Sequence, residues 1–383
     1  MPALHAARQP AVPAEKRQRP RHSLTVPALV LAALLAAAVL WTRGSGVSPP
    51  VLKFGLVADA QYADAQPAKS VLGVWRYYNQ SLAMLADAAR HFQAVGDAFV
   101  VHLGDLVDGK AAAGQAGAPA LLDAAQQALK AGLPVHLLLG NHELYVQTRA
   151  ALLKRYGIVP AELPHRGGGD HSYYSVTVSG GVRLLFVDTY DISILGGRPP
   201  SDARVAAAKE LLLRNNPAYN ASGGTSSGND PTGLRWLARS WVALNGGVGP
   251  QQLTWLAAQL AEARAQGQRV LVFSHIALHP RAQSARCAGM CVVWDWEEVL
   301  AVLRPYGDII AACFAGHDHS GGYARDSGIH YITVQGIIET GLGGAAYAQV
   351  ALYPDRLVVR GHGRVTSRNL KIGRMPPLAA ALP

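Results

Sequence analysis

Short apolar runs alternate with helical stretches along most of this 383-residue chain, and this alternation restricts the fold more than any other feature. VLKFGLVA at 51–58 is apolar over the length of a buried strand, and residues 80–95 then carry apolar side chains at helical spacing. The same pattern predicts further strands at 98–103, 134–139, 182–188, 269–274 and 309–314, and helices at 118–131, 146–156, 202–214, 250–266 and 294–304. Because such alternation is typical of βαβ units, we predict an α/β protein with a largely buried sheet. The strand-rich segment from Tyr331 to Val365 predicts hairpins that close a second sheet.

The amino terminus holds a candidate membrane segment. Ser23 to Thr42 is a run without a charged residue, and as a helix it would span ~30 Å, the thickness of a bilayer core. Because basic residues precede it, we expect residues 1–22 to be a basic cytoplasmic tail and the chain after Arg43 to lie on the periplasmic or extracellular side. The run is longer than the usual core of a signal peptide, which favours an uncleaved transmembrane anchor. If the segment is cleaved instead, the protein is secreted.

Composition then sets the remaining boundaries. Residues 43–50, rich in Gly, Ser and Pro, are predicted to be a linker, residues 51–368 a compact domain, and residues 369–383 a loose tail. Three cysteines are too few for a disulfide scaffold.

The charge distribution argues against a nucleic-acid partner. The chain has 35 basic and 25 acidic residues, a net charge of +10, and the first 23 residues supply +4 of it through five basic side chains and one glutamate. The remaining positive charge is spread thinly and forms no basic block. Nothing in the sequence points to a protein partner either.

Each of five predicted strands ends in side chains of the kinds that bind metal ions. They are Asp59 and Gln61 after the first strand, Asp105 after the second, Asn141 after the third, His275 after VLVFS, and His317 and His319 after IIAACFA. In open α/β sheets, sites form beyond the carboxyl ends of the strands, so we expect these side chains to meet at one edge. A single histidine after a strand is more often structural, but five such segments in succession are hard to assign to chance. Carboxylate, amide and imidazole groups suit borderline divalent ions, and two ions that share a carboxylate form the clamp used in phosphoester displacement.

The same residues carry a resemblance to a known family. The order D-x-Q, GD, GNHE, H and GHDH resembles the calcineurin-like metallophosphoesterase superfamily, and within it the manganese-dependent ADP-ribose/CDP-alcohol diphosphatase branch. The resemblance covers about residues 52–368 and extends beyond the metal motifs, for example at RYYNQSL (76–82), VDTYDISILG (187–196) and RGHGRV (360–365). It implies a sandwich of two mixed β-sheets flanked by helices. Most of the superfamily has histidine where this chain has Gln61, whereas this branch typically has glutamine.

The resemblance also implies a role for each residue. One metal ion would be held by Asp59, Gln61, Asp105 and His319, and the other by Asp105, Asn141, His275 and His317. Manganese is the expected ion, with iron, zinc or cobalt as alternatives. A hydroxide between the ions would attack phosphorus, and His142 would be the catalytic residue on the leaving-group side. Cys291 and Tyr190 are predicted substrate contacts. Cys287 and Cys291 are expected to form a disulfide in an oxidising compartment and otherwise to be free thiols.

The expected reaction is hydrolysis of the phosphoanhydride in a nucleoside-diphosphate-linked small molecule of the ADP-ribose or CDP-alcohol type. Two alternatives stay open: a phosphatase or phosphodiesterase that acts on other phosphoesters, and an inactive membrane-tethered binding protein. Residues 216–249, rich in Gly, Ser and Asn, are either an exposed loop or a rim that grips the nucleotide. The N-terminal segment departs from the branch, whose best-known members are soluble and cytosolic.

The orientation of the chain can be tested with reporter fusions. Alkaline phosphatase fused after Pro50 should be active in a bacterial host, because the chain beyond the apolar run is predicted to leave the cytoplasm. A fluorescent protein that matures only in the cytoplasm should stay dark at the same junction. The reverse pair of results would place the domain among cytosolic nucleotides.

Overall fold

The computed structural model describes residues 49–70, 73–113, 117–158 and 170–373. The predicted tail, the candidate anchor at 23–42 and most of the linker lie outside these residues. Among the residues that are described, no helix is both long enough and apolar enough to cross a membrane.

The described residues form fourteen strands and eight α-helices. The strands are β1 (Leu52–Val57), β2 (Ala68–Lys69), β3 (Trp75–Arg76), β4 (Val100–His102), β5 (Val135–Leu137), β6 (Tyr174–Val178), β7 (Val182–Phe186), β8 (Arg269–Phe273), β9 (Ile310–Ala315), β10 (Gly322–Asp326), β11 (Ile329–Thr333), β12 (Ala346–Leu352), β13 (Arg356–Gly363) and β14 (Arg368–Lys371). The helices are α1 (Ser81–Ala94), α2 (Gly117–Leu129), α3 (Asn141–Val146), α4 (Arg149–Arg155), α5 (Ala203–Asn215), α6 (Pro217–Ala221), α7 (Pro250–Ala265) and α8 (Trp296–Leu303).

Two six-stranded mixed sheets form the body of the domain. The first has the order β14-β13-β12-β1-β4-β5, in which β1, β4 and β5 are parallel and the last three strands of the chain are antiparallel to their neighbours. The second has the order β10-β11-β9-β8-β7-β6, with a parallel centre and an antiparallel strand at each edge. The predicted sandwich of two mixed sheets is confirmed.

Aromatic side chains join the two sheets. The Phe54 ring of β1 lies 5.8 Å from that of Phe273 on β8 and 6.2 Å from that of Phe314 on β9, both edge to face. All three rings are fully buried, so the inner faces of the sheets share one apolar core. On the outer face of the first sheet, Phe92 of α1 packs directly on Gly55 of β1, where a Cβ atom would overlap the ring.

Three predictions about elements need correction. The helix expected at 146–156 is two helices, because α3 begins at Asn141 and a new helix, α4, starts after Thr148, whose side chain accepts a hydrogen bond from the Ala151 N–H. The strands after residue 345 do not close the second sheet. They extend the first one, since β12 pairs with β1 from Leu52↔Leu352 onward. The predicted domain end at Arg368 is the first residue of β14, so the domain continues beyond it.

Candidate metal centre and its cavity

The strand ends bring the seven predicted metal ligands to one edge of the sandwich. Asp59 and Gln61 follow β1, Asp105 follows β4, Asn141 opens α3 after β5, His275 follows β8, and His317 and His319 follow β9. Asp105, His275 and His317 each offer a ligand atom, and these atoms lie within 4.8 Å of one another. This trio matches three of the four residues predicted for one of the two ions.

Four of the seven residues have left-handed backbone conformations. The φ angles are 51° at Asp59, 42° at Gln61, 57° at Asp105 and 66° at His317. Residues other than glycine rarely adopt this conformation, and it persists where the surrounding structure imposes it, often at functional sites. The loops after β1, β4 and β9 are therefore shaped to aim these side chains.

Asp105 is the centre of the cluster. Its Oδ1 accepts a hydrogen bond from the His142 N–H at 2.8 Å, and its Oδ2 accepts one from Gln61 Nε2 at 3.0 Å and lies 3.4 Å from His275 Nε2. Burial raises the pKa of a carboxyl group, but the charges of His275 and His142 outweigh it here and hold the pKa of Asp105 well below its usual range. Asp105 is thus a buried anion that faces both halves of the cluster.

His275 presents one ring nitrogen to the cluster because the other is occupied. Its Nδ1 donates to the Leu103 carbonyl at 2.8 Å, while Nε2 lies 3.3 Å from Asn141 Oδ1 and 3.2 Å from His317 Nδ1. Burial lowers the pKa of His275, but the carboxylate of Asp105 more than offsets it and raises that pKa to about 9. A histidine whose second nitrogen is held by a carbonyl is typical of metal ligands.

His319 has the same arrangement on the other side of Asp105. Its Nδ1 lies 3.2 Å from Glu339 Oε1, and its Nε2 lies 3.5 Å from Asp59 Oδ1 and 3.1 Å from Gln61 Nε2. Burial is again outweighed, here by hydrogen bonds to Asp59 and Glu339, which raise the pKa of His319 to about 9. His317 differs, because burial and the positive charge of His275 lower its pKa well below the ordinary value.

Gln61 is oriented by an arginine. Arg76 donates to Gln61 Oε1 at 3.1 Å, so the amide nitrogen faces Asp105 and His319. Ligation of an ion through Oε1 requires the amide to turn over, and Arg76 then loses this acceptor.

Glu143 supports the cluster from beneath, a role that we did not predict from sequence. Its carboxylate accepts the backbone N–H groups of Asp105 at 3.0 Å, of Gly140 at 2.8 Å and of Leu106. The side chain is fully buried. Burial and the charge of Asp105 raise the pKa of Glu143 to about 7. The sequence signal was its place in GNHE, three residues after Gly140, where an acidic residue caps a helix.

His142 faces the cavity and is held by a second residue that we did not predict, Asp108. Its Nδ1 accepts the Gly109 N–H at 3.0 Å and lies 3.0 Å from Asp108 Oδ2, and its Nε2 lies 3.9 Å from Asp105 Oδ2. Burial lowers the pKa of His142, but the charges of Asp105 and Asp108 outweigh it and raise that pKa. These charges favour the protonated form of the imidazole.

The two predicted substrate contacts have different surroundings. Tyr190 is fully buried and does not line the cavity; its hydroxyl donates to Asn141 Oδ1 at 3.2 Å. It supports a candidate ligand from behind. Cys291 does line the cavity and forms a disulfide with Cys287.

A cavity of about 470 Å³ opens over the cluster. It is lined by Gln61, Arg76, Asp105, Asn141, His142, Tyr145, Asn229, Pro231, Arg239, Leu244, Arg286, Cys287, Met290, Cys291, His317, Asp318, His319, Ser320 and Glu339. Part of the segment 216–249 thus forms a wall of the cavity, as the rim interpretation predicted. Two buried atoms of this lining, Arg76 Nε and Asn229 Oδ1, have no hydrogen-bond partner among the residues described. Such atoms are expected to meet polar groups of a ligand or water.

Comparisons with known proteins agree with this geometry. The profile of the family described as calcineurin-like phosphoesterase matches residues 52–321. The manganese-dependent ADP-ribose/CDP-alcohol diphosphatase of Arabidopsis thaliana is 33% identical over 330 residues, which cover 86% of this chain and 99% of that protein. The protein of the same name from Danio rerio is 35% identical over 324 residues, covering 82% and 97%.

Solved structures of phosphatases are also similar to this chain. The crystal structure of a dimetal phosphatase from Danio rerio has 34% identity and a TM-score of 0.77, and the match covers 85% of this chain and 100% of that one. A purple acid phosphatase from yellow lupin, 14% identical with a TM-score of 0.51 over 85% of this chain and 54% of its own, shares the fold.

The close approach at Gly140 provides a test of the cluster. A Cβ atom there would overlap Asp105 Oδ1 and lie 2.5 Å from the Asp105 backbone nitrogen. Gly140→Ala should therefore displace Asp105 and reduce both bound manganese, measured by elemental analysis, and hydrolysis of bis(p-nitrophenyl) phosphate. Gly109→Ala is the matched control for metal content, since its Cβ would lie at ordinary distances, 3.5 Å from Tyr145 and 3.8 Å from His142 Nδ1. Equal metal content in the two variants would contradict this account of Asp105.

Proposed function

The chain belongs to the calcineurin-like phosphoesterase family and is a metal-dependent hydrolase, and from that premise we propose that its substrates are nucleoside-diphosphate-linked small molecules of the ADP-ribose or CDP-alcohol type. The observation that carries this proposal is the agreement between the site and the relatives. The seven candidate ligands lie at one edge of the sandwich and five of them line one cavity, and the relatives that match over more than four-fifths of this chain bear the name of that activity.

The donor set fits two divalent ions. Asp59, Gln61, Asp105 and His319 would hold one ion, and Asn141, His275 and His317, again with Asp105, would hold the other. Two features favour ligation: His275 and His319 each have their second nitrogen held by an acceptor, and Asp105 faces both groups. The names of the relatives favour manganese, and the oxygen ligands suit it. When bound, two such ions activate water and neutralise the charge on phosphate oxygens.

His142 is proposed to donate a proton to the leaving group. Its imidazole lines the cavity, the Gly109 N–H bonds its Nδ1 beside the Asp108 carboxylate, and its pKa is raised. A protonated imidazole in this position can donate to the phosphate oxygen that leaves with the alcohol or sugar. Hydrolysis then yields a nucleoside monophosphate and a phosphorylated alcohol or sugar.

We also propose that the domain lies outside the cytoplasm, anchored by residues 23–42. The uncharged run after a basic tail supports this orientation. The disulfide between Cys287 and Cys291 supports it independently, because disulfides persist mainly in oxidising compartments.

A substrate panel tests the proposed activity. With Mn²⁺, the protein should convert ADP-ribose to AMP and ribose 5-phosphate, and CDP-choline to CMP and phosphocholine, with higher kcat/KM than for p-nitrophenyl phosphate. Chromatography of the products identifies the bond that is cleaved. Preference for the aryl phosphate would favour a general phosphatase, and binding without turnover would favour a binding protein.

His142→Ala separates proton transfer from metal binding. We expect unchanged metal content and a loss in kcat of about 10²–10⁴-fold on ADP-ribose, because the leaving phosphate loses its proton donor. The loss should be smaller for a nitrophenyl ester, whose leaving group needs no proton. Loss of metal in this variant would instead make His142 a ligand or a structural support.

A further inference from the structure

Two arginines that the metal cluster does not use line the same cavity. Arg239 lies on the short 3-10 helix Trp236–Ser240, and Arg286 lies on the loop between β8 and α8. The 3-10 helix carries no candidate ligand, and the loop carries His275, eleven residues before Arg286. Both side chains nevertheless face the space over Asp105 and His317.

No carboxylate of the described residues lies within hydrogen-bond distance of either guanidinium. The Arg239 guanidinium forms no hydrogen bond or ion pair with any residue in the described part of the chain. Arg286 NH1 lies 3.9 Å from Glu339 Oε2, but that carboxylate already accepts a hydrogen bond from Arg364 at 3.1 Å and lies 3.2 Å from His319. The pair is therefore available for an anion from outside.

Other charged side chains of the cavity lining have partners within the protein, although Arg76 Nε has none among the described residues. Arg76 donates to Gln61 and lies 3.9 Å from Asp108 Oδ2. Asp318 accepts the backbone N–H and the hydroxyl of Ser284. The cavity thus combines a buried ligand cluster at its base with two guanidinium groups that donate no hydrogen bond to a carboxylate: Arg239 has no partner among the described residues, and Arg286 has only Glu339 at 3.9 Å. Such groups bind phosphate through two parallel N–H donors.

The two arginine-bearing segments are packed together. A Cβ atom at Gly289 would overlap the Trp236 carbonyl oxygen, so the two backbones touch at that point. The disulfide from Cys287 to Cys291 closes the loop immediately after Arg286. Both arginines therefore project from one wall of the cavity, whose backbone is fixed by these contacts. Little ordering of the backbone is then needed when an anion binds.

We propose that Arg239 and Arg286 bind the second phosphate of the substrate, the one whose phosphorus is not attacked. This inference rests on the proposed function. It adds a structural reason why the protein would prefer substrates with two linked phosphates over substrates with one. Arg286 is separated from the candidate ligand His319 by Glu339 alone, so its guanidinium lies beside the ligand cluster rather than at a remote site. A substrate with one phosphate would satisfy the ions and leave both arginines without a partner.

Kinetics on two substrates test the assignment. Arg239→Gln, Arg286→Gln and the double variant are compared with Arg235→Gln, a matched control because Arg235 is exposed on the same rim and does not line this cavity. On ADP-ribose, each variant should lose about tenfold in kcat/KM and the double variant more, mainly through KM, because charged hydrogen bonds to the second phosphate are removed. On bis(p-nitrophenyl) phosphate, which has one phosphate, the variants and the control should stay close to the wild-type protein. Equal losses on both substrates, or no loss on either, would overturn the inference.

Measurements of nucleotide binding distinguish this inference from the proposed function. Equilibrium dialysis of the full-length protein with Mn²⁺ should show tighter binding of α,β-methylene-ADP than of AMP, and the double variant should bind the two alike. If the wild-type protein shows that arginine-dependent preference but does not hydrolyse ADP-ribose, the phosphate subsite stands and the proposed activity fails. If ADP-ribose is hydrolysed and the preference survives in the double variant, the activity stands and the subsite is wrong.

Discussion

The carboxylate of Glu143 holds together the two backbone segments on which the site depends. By accepting N–H groups from Asp105, Leu106 and Gly140, it joins the loop after β4 to the start of α3. A buried carboxylate is costly unless its lone pairs are satisfied, and here three backbone donors satisfy it. Asp105 then accepts the His142 N–H, so a candidate ligand and the proposed acid–base residue are fixed by one chain of contacts.

The charges around Asp105 link the proposed metal binding to pH. His275 and His319 both have pKa values raised to about 9, so in the metal-free protein they are protonated at neutral pH. A ligand imidazole must give up this proton before it can bind an ion. Metal uptake through these two residues would therefore release protons, and the apparent affinity would weaken as the pH falls below about 9. Until ions arrive, the two imidazolium groups help to balance the buried carboxylates.

The sequence predicts the candidate ligands better than the residues that position them. Each ligand follows an apolar run, and apolar runs can be read locally, so the strand ends and their polar residues were foreseeable. The roles of Glu143 and Asp108 depend on partners more than 30 residues away, and no local pattern reports such contacts. For the same reason β12 was placed in the wrong sheet, since its partner Leu52 lies 300 residues from Leu352. Tyr190 shows a further limit, because an aromatic residue near a site looks alike in sequence whether it faces the cavity or the core.

The left-handed residues at the strand ends lower the stability of the fold while they position the candidate ligands. A non-glycine residue in this conformation costs roughly 1–3 kcal/mol, and Asp59, Gln61, Asp105 and His317 all adopt it. Glycine at any of these positions would relieve the local strain and delete a candidate ligand in the same step. Selection for thermal stability alone would therefore tend to dismantle the metal cluster. If all four side chains persisted in such a lineage, selection for the function of their ligand would have to be stronger than selection for a more stable fold.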